Sequence, residues 1–261
     1  MKKWTLLALT GLLLAAATTP ALALGPLDAE AGIDLYGKYV WRGMVATPDP
    51  VLQPWVGVNT MGFSAGFWGN MDLNDVNGSE WEFNEVDWTL GWAMSLPKVE
   101  LGAGLIYYDF PNLDANTTEL YLHAGLSVLL SPSLTFYQDL DAIKGGYWEA
   151  AVSHGVGVGE TMTLELGATL GLGSEGYING YFGGAEGLPG VPEMPGGASM
   201  TDLKLTAGLP FQVAHFFTFT PSVSYTTLMG DVKDVVDAGD GAVYHGESDA
   251  FFWGLRGAFK F

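Results

Sequence analysis

The chain contains no cysteine. That excludes a disulfide framework, thiolate metal sites and thiol nucleophiles. Charge is also scarce, at 15% of residues, where soluble domains carry roughly a quarter. Basic residues are the rarer sign, with 10 Lys and Arg against 29 Asp and Glu. A formal charge of −19 excludes nucleic-acid binding through the net field, since phosphate backbones are held by cationic surfaces. Beyond residue 23 no apolar run approaches the ~20 residues that a membrane-spanning helix needs. What the chain has in abundance is glycine, 37 residues, and aromatic side chains, 13%.

The one long apolar run lies at the start. Lys2 and Lys3 precede Leu6–Ala17; Thr18 and Thr19 end the run, and Ala21-Leu22-Ala23 follows Pro20. This is the pattern of a secretory signal peptide, with cleavage expected after Ala23, and the run is too short for a spanning anchor. Residues 24–261 are then the exported protein. Loss of Lys2 and Lys3 takes its formal charge from −19 to −21.

Nearly all of that remainder alternates with period two. In 98–108, KVELGAGLIYY, one face holds Val99, Leu101, Ala103, Leu105 and Tyr107. The other holds Glu100, Gly102, Gly104, Ile106 and Tyr108. The same contrast runs through 31–43, 51–59, 62–71, 81–96, 118–130, 133–140, 146–157, 161–173, 200–209, 214–227 and 249–261. That gives about twelve strands, most near or above the ~9–11 residues that cross a bilayer as β structure. Connections after even strands are short, as at Thr60-Met61, Pro97, Ser131-Pro132 and Gly159-Glu160. Those after odd strands are mostly longer and more polar: 44–50, 72–80, 110–117, 140–145, 174–199 and 228–248.

One greasy face, one light polar face and loops sorted by parity predict an all-β, closed, antiparallel up-and-down transmembrane β-barrel. The greasy face meets hydrocarbon, and inward glycines leave room on the other. A soluble lipocalin-like barrel would turn the greasy face inward, where twelve strands of large apolar residues overfill a small interior. Trp41, Trp81, Trp88, Trp92, Trp148 and Trp253 lie on or near strands and are expected in interfacial girdles, with Trp88 and Trp92 equally suited to plain lipid contact. The glycine-rich 183–197 segment, GGAEGLPGVPEMPGG, lacks a following Gly-Lys-Ser/Thr and reads as a surface loop.

The chain ends on Phe261, with Phe259, Leu255 and Trp253 alternating back from it. This looks like the terminal strand that outer-membrane assembly machinery reads. The segment DLYGKYVWRG (Asp34–Gly43), with Gln53-Pro54 and GFSAGFWGN (Gly62–Asn70) downstream, resembles the opening of the TorF-type family of outer-membrane porins, most clearly over residues 33–71. The resemblance implies location in a Gram-negative outer membrane and a porin fold. It brings no catalytic residues and no cofactor.

Alternation places Asp34, Glu85, Asp87, Glu100, Glu119, Asp139, Glu149, Glu165 and Asp202 inward, with Lys38, Arg42, Lys204, Arg256 and Lys260. Strand one closes against strand twelve in such a barrel. Lys38, Arg42, Arg256 and Lys260 would then line adjacent staves, facing acids on strands four to nine. The expectation is a transverse field across a pore that passes small polar or charged solutes by diffusion. Two other readings stay open. The charges pair across a plugged lumen, leaving the surface loops a binding or structural role. Or the barrel is a hydrolase, which needs a nucleophile, base and orienting group in reach. His123 and Ser127 share a face but lie roughly 13 Å apart along the strand. Metal binding is weakly indicated: DLNDVNG (Asp72–Gly78) puts Val76 where an EF-hand needs a ligand. The acids of 231–249 read as a solvated loop, and no metal or cofactor site is assigned.

Overall fold

The computed structural model describes residues 27–78, 80–159, 162–183, 197–237 and 244–261. The expected signal peptide, 1–23, lies outside the described residues, as does most of the glycine-rich loop. Twelve long staves follow one another in the wall: β1 (Asp28–Tyr36), β4 (Val51–Thr60), β5 (Phe63–Asp72), β6 (Phe83–Ser95), β7 (Val99–Phe110), β8 (Ala115–Leu126), β9 (Ser133–Asp139), β10 (Gly146–Val158), β11 (Met162–Gly173), β12 (Ser199–Gly208), β14 (Phe217–Leu228) and β15 (Asp249–Lys260). Every neighbouring pair is antiparallel, and the β1–β15 and β12–β14 ladders close the ring. Closure leaves no sheet edge unpaired, which is the condition for β structure in hydrocarbon. A short ribbon, β13 (Phe211–Ala214), pairs with β14 near its turn.

The two faces fall as the alternation requires. On β6–β8, Trp88, Leu90, Leu101, Leu105 and Leu122 are exposed on the outside, whereas Glu85, Tyr108 and Glu119 of the same strands are buried inside. The light inner face of KVELGAGLIYY seats an aromatic ring. A Cβ on Gly104 would stand 2.3 Å from the Leu90 carbonyl oxygen and 2.6 Å from Tyr121 Cε1. Tyr121, from β8, fills the space a side chain on Gly104 or Gly91 would take. At the short-turn end, Phe63 pairs across strands with Trp92, and Phe217 with Phe259. Trp88 sits mid-strand against Phe67, with ring centroids 5.1 Å apart.

The main departure from the sequence pattern is at the first segment. The wall strand ends at Tyr36, and the Gly37 amide donates to the Trp253 carbonyl at 2.9 Å. The chain then leaves the wall and forms a separate hairpin of β2 (Tyr39–Trp41) and β3 (Met44–Thr47). Its turn holds Arg42 at φ 45° and Gly43 at φ 82°. Two consecutive positive φ values are the requirement of a tight two-residue hairpin turn. The alternation of β2 continues that of β1 unbroken, so the two read as one strand.

The hairpin folds into the barrel at the long-loop end. Two short helices, Glu175–Tyr181 and Gly230–Asp237, close over it. Ser174 caps the first, its hydroxyl oxygen accepting from the Tyr177 amide at 3.3 Å. Met44, Tyr147, Tyr177, Ile178, Phe182, Leu228, Val232 and Val236 form one buried apolar cluster, with Trp41 and Tyr137 against it. The mouth is therefore packed as a protein core, while the lumen beneath it is polar.

Candidate functional site in the barrel lumen

Arg42 is carried to its position by the hairpin turn, on the far side of the lumen from the β1–β15 seam. Its Nη1 and Nη2 donate to Glu119 Oε1 and Oε2 of β8 at 2.8 and 2.7 Å. This is the parallel two-bond geometry that gives Arg–carboxylate pairs their strength. The two side chains are 6% and 3% exposed. The guanidinium carbon lies 4.4, 4.4 and 4.5 Å from the ring centroids of Trp41, Tyr137 and Tyr147. Tyr177 is a fourth ring at 5.8 Å. Burial opposes the charge, but the Glu119 carboxylate with its paired hydrogen bonds favours it, and Arg42 is held above its ordinary value. It is a permanent cation.

The partners of Arg42 are themselves fixed by the wall. Tyr108 donates its hydroxyl to Glu119 Oε2 at 2.9 Å. Tyr147 donates to Asp202 Oδ1 at 3.0 Å, and Thr201 donates to the same oxygen at 2.9 Å. The base of the hairpin is tied separately. Thr47 donates to Asp72 Oδ1 at 2.9 Å, and Asn77 donates to Asp72 Oδ2 at 2.7 Å. Lys38 reaches both oxygens of Glu247 at 2.9 Å. The DLNDVNG segment thus spends Asp72 on holding the hairpin, and the 231–249 acids Glu247 and Asp249 engage Lys38 and Lys233.

Below the hairpin lies a cavity of about 850 Å³. It runs from residues near the short-turn rim, such as Glu30 and Pro210, up to Lys38, Tyr39 and Trp41 of the hairpin. Asp34, Asp87, Glu165, Lys204 and Arg256 line it, together with Trp68 and a row of Thr and Ser from β14. Asp34 and Arg256 face each other across the β1–β15 ladder at 3.8 Å, and the Arg256 guanidinium lies 4.5 Å over the Trp55 ring. The Tyr39 side chain lies beside Glu85, and its ring lies 5.6 Å from that of Trp68.

Glu85, Asp87, Glu119, Glu149, Glu165, Lys204 and Arg256 lie on the inner face, but other residues stand elsewhere than the alternation puts them. Lys38 and Arg42 do not stand beside Arg256 on the wall, because their segment is the infolded hairpin. The basic and acidic walls are consequently not segregated: Arg42 is on the acidic side, neutralising Glu119. Asp139 lines no passage. Its Oδ1 accepts from the Asp141, Ile143 and Lys144 amides at 3.0, 2.9 and 3.0 Å, so it builds the 140–145 turn. Lys260 sits at the rim, bonded to Asp28 at 3.4 Å and 61% exposed. Trp41 likewise leaves the expected girdle for the lumen.

The sequence reading passed over the inner aromatics Tyr108, Tyr137 and Tyr147. Their alternation places them inward, but nothing in one strand's pattern says that three strands aim at one point. His123, the inward histidine, has its Nδ1 2.9 Å from the Thr135 hydroxyl oxygen directly across the β8–β9 ladder.

The sequence matches no family model and no curated relative. Solved structures do match. The chain is 13% identical to a NanC porin structure over 90% of its own length and 100% of the other, with a TM-score of 0.50. A KdgM porin aligns over 90% and 99% at 9% identity and a TM-score of 0.51. The KdgM porin in complex with disordered oligogalacturonate aligns over the same shares at 9% identity and a TM-score of 0.52. At such identities the likeness is one of fold: a closed antiparallel β-barrel of porin type.

Proposed function

We propose that this protein is an outer-membrane, porin-like channel for small polar or charged solutes, narrowed by its own β2–β3 hairpin. The observation that carries the reading is the charge-lined cavity of about 850 Å³ inside a closed ring with an apolar exterior, ending at the hairpin. The fold likeness to the NanC and KdgM porins supports it. With Arg42 spent on Glu119 and Arg256 facing Asp34, the acids and bases of the cavity left without an ion pair among the described residues are Asp87, Glu165 and Lys204, so acids outnumber bases. Cations are therefore the favoured class of small solute. The short-turn end with both termini faces the periplasm, and the C-terminal strand ending in Phe261 is the segment offered to the assembly machinery. The reading is non-enzymatic, supported by the fold likeness to porins. It includes membership of the TorF-type family. The supporting segment, DLYGKYVWRG, here spans the end of β1 and the hairpin through its turn.

The packed mouth favours one second reading: a barrel closed at rest, with its role in the long loops. Planar-bilayer recording separates the two. Channel activity in the intact protein, with reversal potentials favouring cations, supports passage. A barrel silent both as it stands and after Glu119→Gln releases the hairpin refutes passage and leaves the loop role.

A further inference from the structure

We infer that the wall around Arg42 is a binding site for guanidinium-bearing solutes, and that Arg42 is a tethered occupant of it. Its consequence for passage rests on the channel reading; the site itself does not.

The wall supplies what recognition of a planar cation requires. Glu119 presents both oxygens to a guanidinium fork at 2.8 and 2.7 Å. Tyr137 and Tyr147 flank the fork with ring centroids at 4.4 and 4.5 Å. Carboxylate and aromatic faces together favour guanidinium over ammonium, which is a compact point charge without the flat fork. The box is fixed by partners other than Arg42. Tyr108 holds Glu119, Asp202 holds the Tyr147 hydroxyl, and the Tyr137 and Tyr147 rings lie 6.2 Å apart on neighbouring staves. These contacts stand when Arg42 withdraws.

The occupant, by contrast, sits on a hairpin that packs against the wall without joining its ladders. Strands β2 and β3 pair only with each other, so withdrawal of the tip breaks no barrel ladder. Arg42 also adopts a left-handed φ of 45° that L side chains disfavour. Its retention there is explained by what the guanidinium gains in the box. Trp41, next to it, lines the cavity below, so a solute in the lumen reaches the box as the tip retreats. A tethered group competes at an effective concentration on the order of millimolar or higher. Free solute must exceed that value to displace the tip. The barrel then opens for the class of compound that its own arginine imitates.

The test titrates methylguanidinium into the purified full-length barrel in detergent, by calorimetry. Arg42→Ala vacates the box and is expected to bind with a Kd on the order of 1 mM. Binding should weaken at least tenfold in Arg42→Ala with Glu119→Gln, and at least tenfold for methylammonium. Arg42→Lys is the second variant, should alanine disturb folding. Its poorer occupant should yield to methylguanidinium at a concentration at least tenfold below that for the unmodified protein. Equal binding by Arg42→Ala and the double variant, or equal displacement in Arg42→Lys and the unmodified protein, overturns the site. Binding with silent bilayers would sink the channel reading and keep the site. Conductance without binding would do the reverse.

Discussion

Glu119→Gln should detach the hairpin and leave the barrel standing. The Arg42 and Glu119 side chains are 6% and 3% exposed, so glutamine strands a buried guanidinium. Removing one partner of a buried ion pair costs about 3–5 kcal/mol. Glutamine keeps the volume and one carbonyl acceptor, and the rings of Trp41, Tyr137 and Tyr147 stay in place, which favours the lower end. About 3 kcal/mol is a shift of roughly 10²-fold in the docking equilibrium. An undocked two-stranded hairpin is marginal by itself. Amide hydrogen exchange at Val40, Trp41 and Val45 should therefore accelerate by about that factor. The Gly102–Ile106 amides of the β7–β8 ladder should keep their protection, because that ladder is backbone pairing to which the Arg42 and Glu119 side chains do not contribute. Unchanged exchange at the hairpin would refute the magnitude. Equal losses at hairpin and wall would refute the independence of the two.

Other outcomes follow from the same geometry. Gly43→Ala meets both φ 82° and a Cβ 2.5 Å from the Asp202 Cβ; about 1–2 kcal/mol of backbone cost plus about 1–3 from overpacking should loosen the tip, read as faster hairpin exchange. Gly104→Ala strikes the Leu90 carbonyl oxygen at 2.3 Å, so the wall itself should lose about 1–3 kcal/mol in denaturant unfolding. Glu165→Gln removes a solvent-accessible cavity acid that has no ion-pair partner among the described residues, and should lower cation preference in reversal-potential measurements. Lys260→Ala should change neither ion selectivity in bilayers nor the denaturant midpoint, since its ion pairs sit at an exposed rim and are screened by solvent.

The wall was legible because each stave answers to two solvents at once. Hydrocarbon outside and polar groups inside impose a strict period of two, and 83–95, 99–110 and 162–173 fall close to where that period put them. The hairpin was not, because Tyr39 and Trp41 extend the rhythm of Ile33 and Leu35 without a break. The Arg42-Gly43 pair, able to take two positive φ values at a turn, was the available clue. Partners across the lumen were hidden for another reason. Alternation says which face a residue is on, not which distant stave it meets, so Glu119 and Arg42 were both inward but not a pair. Asp139 was misread because a carboxylate at a strand end serves the next turn's amides as readily as a passage.

The Arg42 stitch joins positions 77 residues apart, and Gly43 rests on Asp202 from a strand made much later. Closing so long a loop early gains nothing until both surfaces exist. Its seat is built from β8, β10 and β12, so the tip can lodge fully only once those staves are in place. An early segment of the chain thereby inspects later ones: a barrel with β8 or β12 out of place would have nowhere to lodge it, and would emerge unlatched.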